Sequence, residues 1–515
     1  MPAILTDKFR IQGASRFISD VSDSSNSYYL FIGLPNHNEI QSNWNNNPPA
    51  PKDSFDDENS YHESMISLKK ISSSDVVRVI RKVTWSQGTT YEQYRHNYTR
   101  TNLSPVSSAT NLYDSNFYVV NSQYRVYVCI QNGTDPDNLT GRPSLGEPLH
   151  TDLEPRVAGS SGDGYLWKYL FTINPNSILK FDNDFYIPLP NDWYTNSIYS
   201  NVRDNAVDGQ IKVINLYTRG NTYNLQSQVA TVNIKGDGSG GTASVTFNAN
   251  KEIESIVVSN GGSGYTYATL DFESAGIVAN VPATYEVIIP PKGGHGKDIY
   301  SELGSYRVLV YARIENNSTD PDFVTDNTFA RVGLIKNPVS FGSTSIASNS
   351  NLSAVYALKL TGAGASTATF TQNSQITQTV GVGTTAVGKV VSYDQTTGVL
   401  KYWQERSLYI STTTSAPKYG RSVIGFTTSI STGGNLNIVG GSVTLQIDTS
   451  FGTQSNPGVT TTINSRKYYL GQSFVSGLSN PEIKKYSGDI VYVDNRASIL
   501  RSVNQKEDFK IVLEF

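Results

Sequence analysis

Ala386-Val-Gly-Lys-Val-Val-Ser-Tyr393, then Asp394-Gln-Thr-Thr-Gly398, then Val399-Leu-Lys-Tyr-Trp403 reads as strand, turn, strand. β-Branched and aromatic residues fill both runs, and the five residues between them are turn formers. The surrounding stretch, about Ser340 to Tyr469, is poor in charge and rich in Thr, Ser and Gly, with further short runs of strand character. It reads as a polar all-β module. The same punctuation extends over the whole chain of 515 residues, which has 32 Tyr and 42 Gly but only 2 Met and 1 Cys. Many short strands joined by many turns are implied, and the fold class is mostly β with few short helices. The length calls for two to four compact units.

A second shift in composition lies between Ile211 and Ile289. Ala243, Val245 and Phe247 alternate with polar residues, the period of a half-buried strand. Ile253-Glu-Ser-Ile-Val-Val258 answers it across a short turn, giving a hairpin bracketed by glycine-rich loops at Lys235–Gly241 and Asn260–Tyr265. Such loops cradle phosphate only when a helix follows and aims its free amides at the anion. Here a strand follows, so Gly261, Gly262 and Gly264 read as positions of positive φ.

Elsewhere Met1 to Arg10 reads as a polar start with a short apolar run, Asn26 to Leu34 as a buried strand and Asn43 to Asp57 as surface loop. Tyr61, Met65 and Leu68 recur at helical spacing, which predicts a helix over Asp57 to Lys70. Val76 to Val83, Asn116 to Ile130 and Tyr165 to Ile173 read as strands.

Groups able to carry chemistry are sparse. Cys129 stands in the apolar run Tyr127 to Ile130 and reads as a small buried hydrophobe. His37, His62, His96, His150 and His295 form no local metal-binding spacing, and Gly293-Gly-His-Gly296 reads as a loop whose imidazole makes a structural hydrogen bond. Asp135-Pro-Asp137-Asn138 has closely spaced oxygens but lacks the glycine and distal glutamate of a calcium loop, and Pro136 suits a turn. Gly162-Asp163-Gly164 reads as a tight turn capped by its carboxylate, with no second carboxylate nominated for glycoside hydrolysis. The triplets at Asn97, Asn102, Asn132 and Asn138 match a glycosylation pattern that has no meaning without a secretory route. No catalytic residue, cofactor or metal is expected. With 41 basic and 44 acidic side chains the net charge is −3, so neither nucleic acid nor a membrane is an expected partner. No stretch approaches the roughly 20 apolar residues of a membrane span, and no secretion signal is read.

Two long segments carry a resemblance: Ser161-Gly-Asp-Gly-Tyr-Leu-Trp-Lys-Tyr-Leu-Phe171, and Tyr486-Ser-Gly-Asp-Ile-Val-Tyr-Val-Asp-Asn-Arg496 running on to Gln505-Lys-Glu-Asp-Phe-Lys-Ile-Val-Leu-Glu-Phe515. Leu5 to Arg10, Tyr29 to Gly33 and Leu334 to Pro338 add to it. The chain resembles the baseplate wedge subunit that is the eighth gene product of T-even-type contractile-tailed phages. The resemblance covers about Met1 to Asp204, Gly293 to Pro338 and Glu482 to Phe515, roughly half of the chain.

The resemblance implies a multidomain, β-sandwich-like architecture built by domain insertion. The family-like part would occupy 1–209, 293–338 and 471–515, with a glycine-rich β module inserted at 210–292 and a polar all-β module at 339–470. It also implies a non-enzymatic virion protein of the tail baseplate, assembled in the host cytoplasm, a homodimer whose partners are other wedge proteins. Gly162, Asp163, Gly164, Trp167, Tyr169, Gly488, Asp494, Asn495 and Arg496 are its structural motif residues. Trp167 and Tyr169 are expected in a core, Asp494-Asn495-Arg496 in a turn between two strands. A receptor-binding tail protein is the first alternative, suggested by tyrosine-rich polar modules that stack on sugar rings; a tail-associated envelope hydrolase is the second. In the closing run Phe509, Ile511, Leu513 and Phe515 share one face, so the strand should pair inside a sheet.

Overall fold

The computed structural model describes residues 4–35, 44–160, 162–315, 323, 325, 327–404, 423–452, 458–502 and 505–515. Among the described residues strands occupy 40% and helices 11%, which makes the fold mostly β, arranged as several separate sheets. The chain divides into two compact units, each assembled from distant segments.

One unit comprises Met1–Ile18, Val77–Leu309 and Ile511–Phe515. Its three-stranded sheet orders Tyr118–Val120, Arg125–Asn132 and Tyr165–Thr172, with Cys129 opposite Trp167 and Tyr127 opposite Tyr169. The stretch expected as one strand over Asn116 to Ile130 is therefore a hairpin. Asn121 breaks it by accepting the Gln123 and Arg125 amides on its side-chain oxygen, and Tyr124 turns the chain at φ 56°. Phe117, Val126, Leu170, Ile187, Trp193 and Ile299 belong to the core on this sheet.

Ile11, in the helix Asp7–Ser22, joins that core. This helix corrects the expectation of a polar start. Ile11, Ala14 and Val21 follow a helical period, but Gly13 and the exposed Phe9 blur it in the sequence.

Residues 211–289 carry an apolar core of their own, including Ile211, Val232, Val245, Phe247 and Tyr265. The expected hairpin is present as Ser239–Phe247 and Ile253–Ser263, extended by Val229–Gly236 and Ala268–Leu270 into four strands. The bracketing glycines are not open loops: Ser239 pairs with Ser263 and Gly241 with Gly261, so the ladder runs into them. Gly262 and Gly264 have φ of 58° and 78° as expected, whereas Gly261 has no positive φ. Its need is space, since a side chain there would collide with the Ile211 carbonyl oxygen. Gly238, Gly241 and Gly262 likewise leave room for the buried Tyr265 ring, whose hydroxyl donates to the Ile234 carbonyl at 2.9 Å and accepts the Gly241 amide at 3.1 Å.

The other unit comprises Ser19–Val76 and Val310–Lys510. A five-stranded antiparallel sheet orders Asn351–Ser353, Met65–Ile71, Tyr28–Gly33, Asn327–Lys336 and Asp489–Arg501. All six residues of Tyr28–Gly33 are buried. The helix expected over Asp57 to Lys70 covers only Phe55–Ser64, capped by the Ser54 side chain, and the chain becomes a strand at Met65. The helical spacing of Met65 and Leu68 is overridden because both belong to a strand hydrogen-bonded to its neighbours on either side. A second, seven-stranded sheet contains the opening strand pair as Thr384–Asp394 and Val399–Trp403, flanked by Gln375–Gly381 and Tyr356–Thr361.

Asp494, Asn495 and Arg496 lie within the 13-residue strand Asp489–Arg501, which corrects the expected turn. The pairing slips between Phe329 with Ile499 and Arg331 with Asn495, so a bulge just beyond Asn495 absorbs the polar residues that suggested a break.

The last strand, Lys506–Glu514, pairs among the described residues only with Arg307–Glu315 and forms a sheet edge, which corrects the expectation that it lies inside a sheet, while the alternation is as read, with Lys506, Asp508, Lys510 and Glu514 exposed. Only Ile511 is buried, while Phe509, Leu513 and Phe515 are half-buried. Phe515 packs on Phe17 with ring centroids 5.7 Å apart, and Glu514 accepts Arg10 at 2.6 Å and Arg307 at 2.9 Å. Deleting residues 511–515 should lower stability by on the order of 3–5 kcal/mol, since one apolar side chain is lost nearly whole and others in part. Urea unfolding of the full and shortened chains measures this, and equal midpoints would show that the closing strand contributes nothing.

Candidate functional site

The first family-like segment builds a tie between a loop and a strand. Gly162 and Gly164 have φ of 66° and 81°, and a side chain on Gly164 would meet the Gly133 backbone at 2.7 Å. They carry between them Asp163, 6% exposed, whose two oxygens accept the Leu145 amide at 2.8 Å and the Tyr165 amide at 3.1 Å. Ser161 lies outside the described residues. Trp167 is fully buried, stacked on Tyr165 at 5.3 Å and edge-on to Tyr91 at 5.7 Å. Tyr169 is half-buried against Tyr127.

The second segment surrounds a buried cation. Gly488, at φ 82°, passes so close to Lys336 and Pro338 that a side chain would stand 2.7 Å from the Lys336 carbonyl oxygen. Asn495 accepts Arg331 Nε on its side-chain oxygen at 2.9 Å and donates to the Pro49 carbonyl at 3.0 Å. Arg331 is 0% exposed, donates to Ser64 Oγ at 2.6 Å and lies over the Tyr61 ring at 4.6 Å. The Arg496 carbonyl accepts Trp44 Nε1, and its exposed guanidinium pairs with Asp494 at 2.6 Å. Arg331 itself has no signal in the sequence, because a lone Arg in an apolar strand reads as a surface residue.

Several other groups singled out in the sequence are engaged structurally. Asp135 pairs with Arg142 and Asp137 with Arg219, so each carboxylate of the would-be calcium loop already faces an arginine. No group of three or more metal-ligating side chains occurs among the described residues. His295 is buried edge-on to Tyr94, its Nδ1 2.6 Å from Glu302, whose other oxygen accepts the Gly296 amide. Cys129 is fully buried, which raises its thiol well above the usual range and keeps it protonated. His37 lies outside the described residues.

His62 and Lys485 meet at the end of the helix Phe55–Ser64. Lys485 Nζ donates to the His62 carbonyl at 3.0 Å, with the Glu63 and Met65 carbonyls at 3.4 and 3.5 Å, a cation set on the negative end of the helix. Burial draws the ammonium down to about 7, opposed by the Glu63 carboxylate. His62 is 3% exposed, and burial first, then the Lys485 charge, pulls its imidazole down to about 4.

Two of the clefts on the described surface carry polar and aromatic side chains together. One, of about 530 Å³, includes His96, Tyr267 and Glu286, the last accepting Arg95 and Tyr217 at 2.5 Å. The other, of about 610 Å³, lies beside the turn Asp394–Gly398. No helix among the described residues is long and apolar enough to cross a membrane. No protein-family model matches the sequence, and no curated protein matches it.

Two predictions follow from this geometry. Asp163→Ala leaves two amides without their acceptor and should cost about 2–4 kcal/mol in urea unfolding. Asp163→Asn, which keeps one acceptor oxygen, should cost less, and a neutral effect of both would deny the tie any structural weight. His62, held neutral below its unfolded value of 6.5, stabilises the fold fully above that pH, and the contribution is lost as pH falls through about 4. The loss amounts to at most about 3 kcal/mol. His96 and His150 are lowered by burial too and act in the same direction. His62→Asn should flatten the stability profile between pH 6.5 and 4, and an unchanged slope would show that the imidazole is not what titrates.

Proposed function

We propose that the chain is a structural subunit of the baseplate wedge in a contractile phage tail, linking neighbouring wedge proteins during assembly and moving with them on contraction. The observation that carries the reading is where the family-like segments spend their distinctive side chains. Asp163 holds two backbone amides, Trp167 fills a core and Asn495 braces a buried guanidinium. A motif used this way serves architecture, in keeping with a part whose work is to hold a shape. Large apolar side chains left exposed, among them Leu179 at 85%, Ile198 at 78% and Phe185 at 74%, are the kind of surface that subunit contacts cover. The protein acts as a homodimer in the virion and performs no catalysis.

Coexpression with the neighbouring wedge proteins of the same phage tests this. The chain should co-elute with them as a complex, sediment alone as a dimer, and be required for complete baseplates. Failure to join any wedge protein, together with normal baseplates in its absence, would overturn the reading.

A further inference from the structure

We infer that the cleft beside Asp394–Gly398 is a binding site for a short, uncharged saccharide. This goes beyond the wedge reading and does not rest on it. The cleft is formed by Phe370, Gln372, Tyr393, Asp394, Lys401 and Tyr468 with their neighbours. Its volume of about 610 Å³ is that of a small-ligand site, which commonly spans about 300–1,000 Å³.

Three features select the ligand. The first is a fixed aromatic wall. Phe370 and Tyr393 lie with ring centroids 4.8 Å apart, and Tyr393 is locked by donating its hydroxyl to the Ala365 carbonyl at 2.7 Å. Tyr468 adds a third half-buried ring, with the Arg466 guanidinium over one face at 5.3 Å and the other face left for a ligand. Ring faces carry partial negative charge and suit the polarised C–H face of a sugar.

The second is an acceptor on the lining and an unmatched donor just beneath it. The side-chain Nε2 of Gln372 is covered from solvent and has no hydrogen-bond partner. A buried donor left unmatched is costly, and because the half-buried Gln372 side chain lines the cleft, its rotation brings the amide to the surface, where a ligand hydroxyl can accept it. Asp394 is exposed, and its carboxylate is steadied by the Thr396 amide at 2.9 Å and the Thr397 hydroxyl at 2.6 Å. Its oxygens retain accepting capacity. Neighbouring hydroxyls of a sugar both donate and accept, and match this pair.

The third is the charge balance and the closed ladder. The charged side chains of the lining, Asp394 and Lys401, are of opposite sign, and only Asp394 is exposed, so the lining carries no block of like charge to select a strongly acidic or basic ligand. The strands Thr384–Asp394 and Val399–Trp403 are each paired on both sides, so no open edge invites an extended peptide.

The full chain should be applied to an array of neutral and acidic oligosaccharides, with hits titrated calorimetrically. Saturable binding of neutral sugars is expected, weakened at least tenfold by Gln372→Ala or Tyr468→Ala with the thermal midpoint retained, and unaffected by Phe185→Ala. Hydrogen exchange of the saturated native chain asks the same question without a variant and should show protection at residues 368–372 and 391–397. The inference is overturned if no neutral sugar binds saturably, if acidic sugars bind better, if both cleft variants bind normally, or if protection falls elsewhere. Wedge assembly is read separately, so either reading can fail alone.

Discussion

A guanidinium with no access to water fixes much of the unit that contains the five-stranded sheet. Removing a charge from water is expensive unless its donors are matched. Arg331 is matched by Ser64 and the face of Tyr61, both on the helix Phe55–Ser64, and by Asn495 at a strand bulge, so the cation ties its own strand to two other parts of the chain. Each is thereby held to a narrow range of positions. The helix must end where it does for Ser64 to reach, and the bulge re-aims Asn495 toward the cation while its amide secures the loop at Pro49. A second buried guanidinium, Arg501, is met by Glu507 at 2.9 Å across the turn that follows the same strand.

Tyrosine does the comparable work through neutral groups, which gives the 32 tyrosines a physical reason. Tyr29, Tyr127, Tyr165, Tyr265 and Tyr300 each bury a ring and donate the hydroxyl to a distant carbonyl, of Asn349, His150, Arg142, Ile234 and Pro190 respectively. A phenol supplies apolar area at one end and a hydrogen bond at the other. Loops that have no ladder of their own are thus anchored to cores. Glycine complements it, as at Tyr265, where the surrounding backbone must approach the ring closely.

The β character was legible because period-two runs and turn formers are local signals, and Tyr28–Gly33, Tyr165–Thr172 and the pair around Asp394–Gly398 lie close to where those signals put them. The hairpin at Asn121 turns on a local side-chain cap, but the other misreadings share a cause: a distant partner decided the local structure. Met65 and Leu68 carry helical spacing, yet strands on both sides claim them. Asn495 has the polarity of a turn, yet a buried arginine 164 residues away uses it within a strand. The helix Asp7–Ser22 was hidden by a central glycine whose small size admits Phe515, 3.3 Å from where a side chain would begin. The cleft could not be read either, because Gln372 and Tyr468 lie far apart in sequence and only the packing of the sheet brings them to one surface.

The discontinuity of both units sets the order in which the chain can fold during synthesis. One unit needs residues 511–515 beside residues 1–18 and 77–309, and the other needs 19–76 beside 310–510. Neither unit can therefore close until the last of its segments has been made. Segments such as Tyr28–Gly33, buried at every position in the finished sheet, must wait some 300 residues for Asn327–Lys336 to emerge as their neighbour. In that interval Tyr28–Gly33 has only Met65–Ile71 to pair with, along one edge, and an apolar strand left half-paired is the kind of surface on which unfinished chains associate with one another.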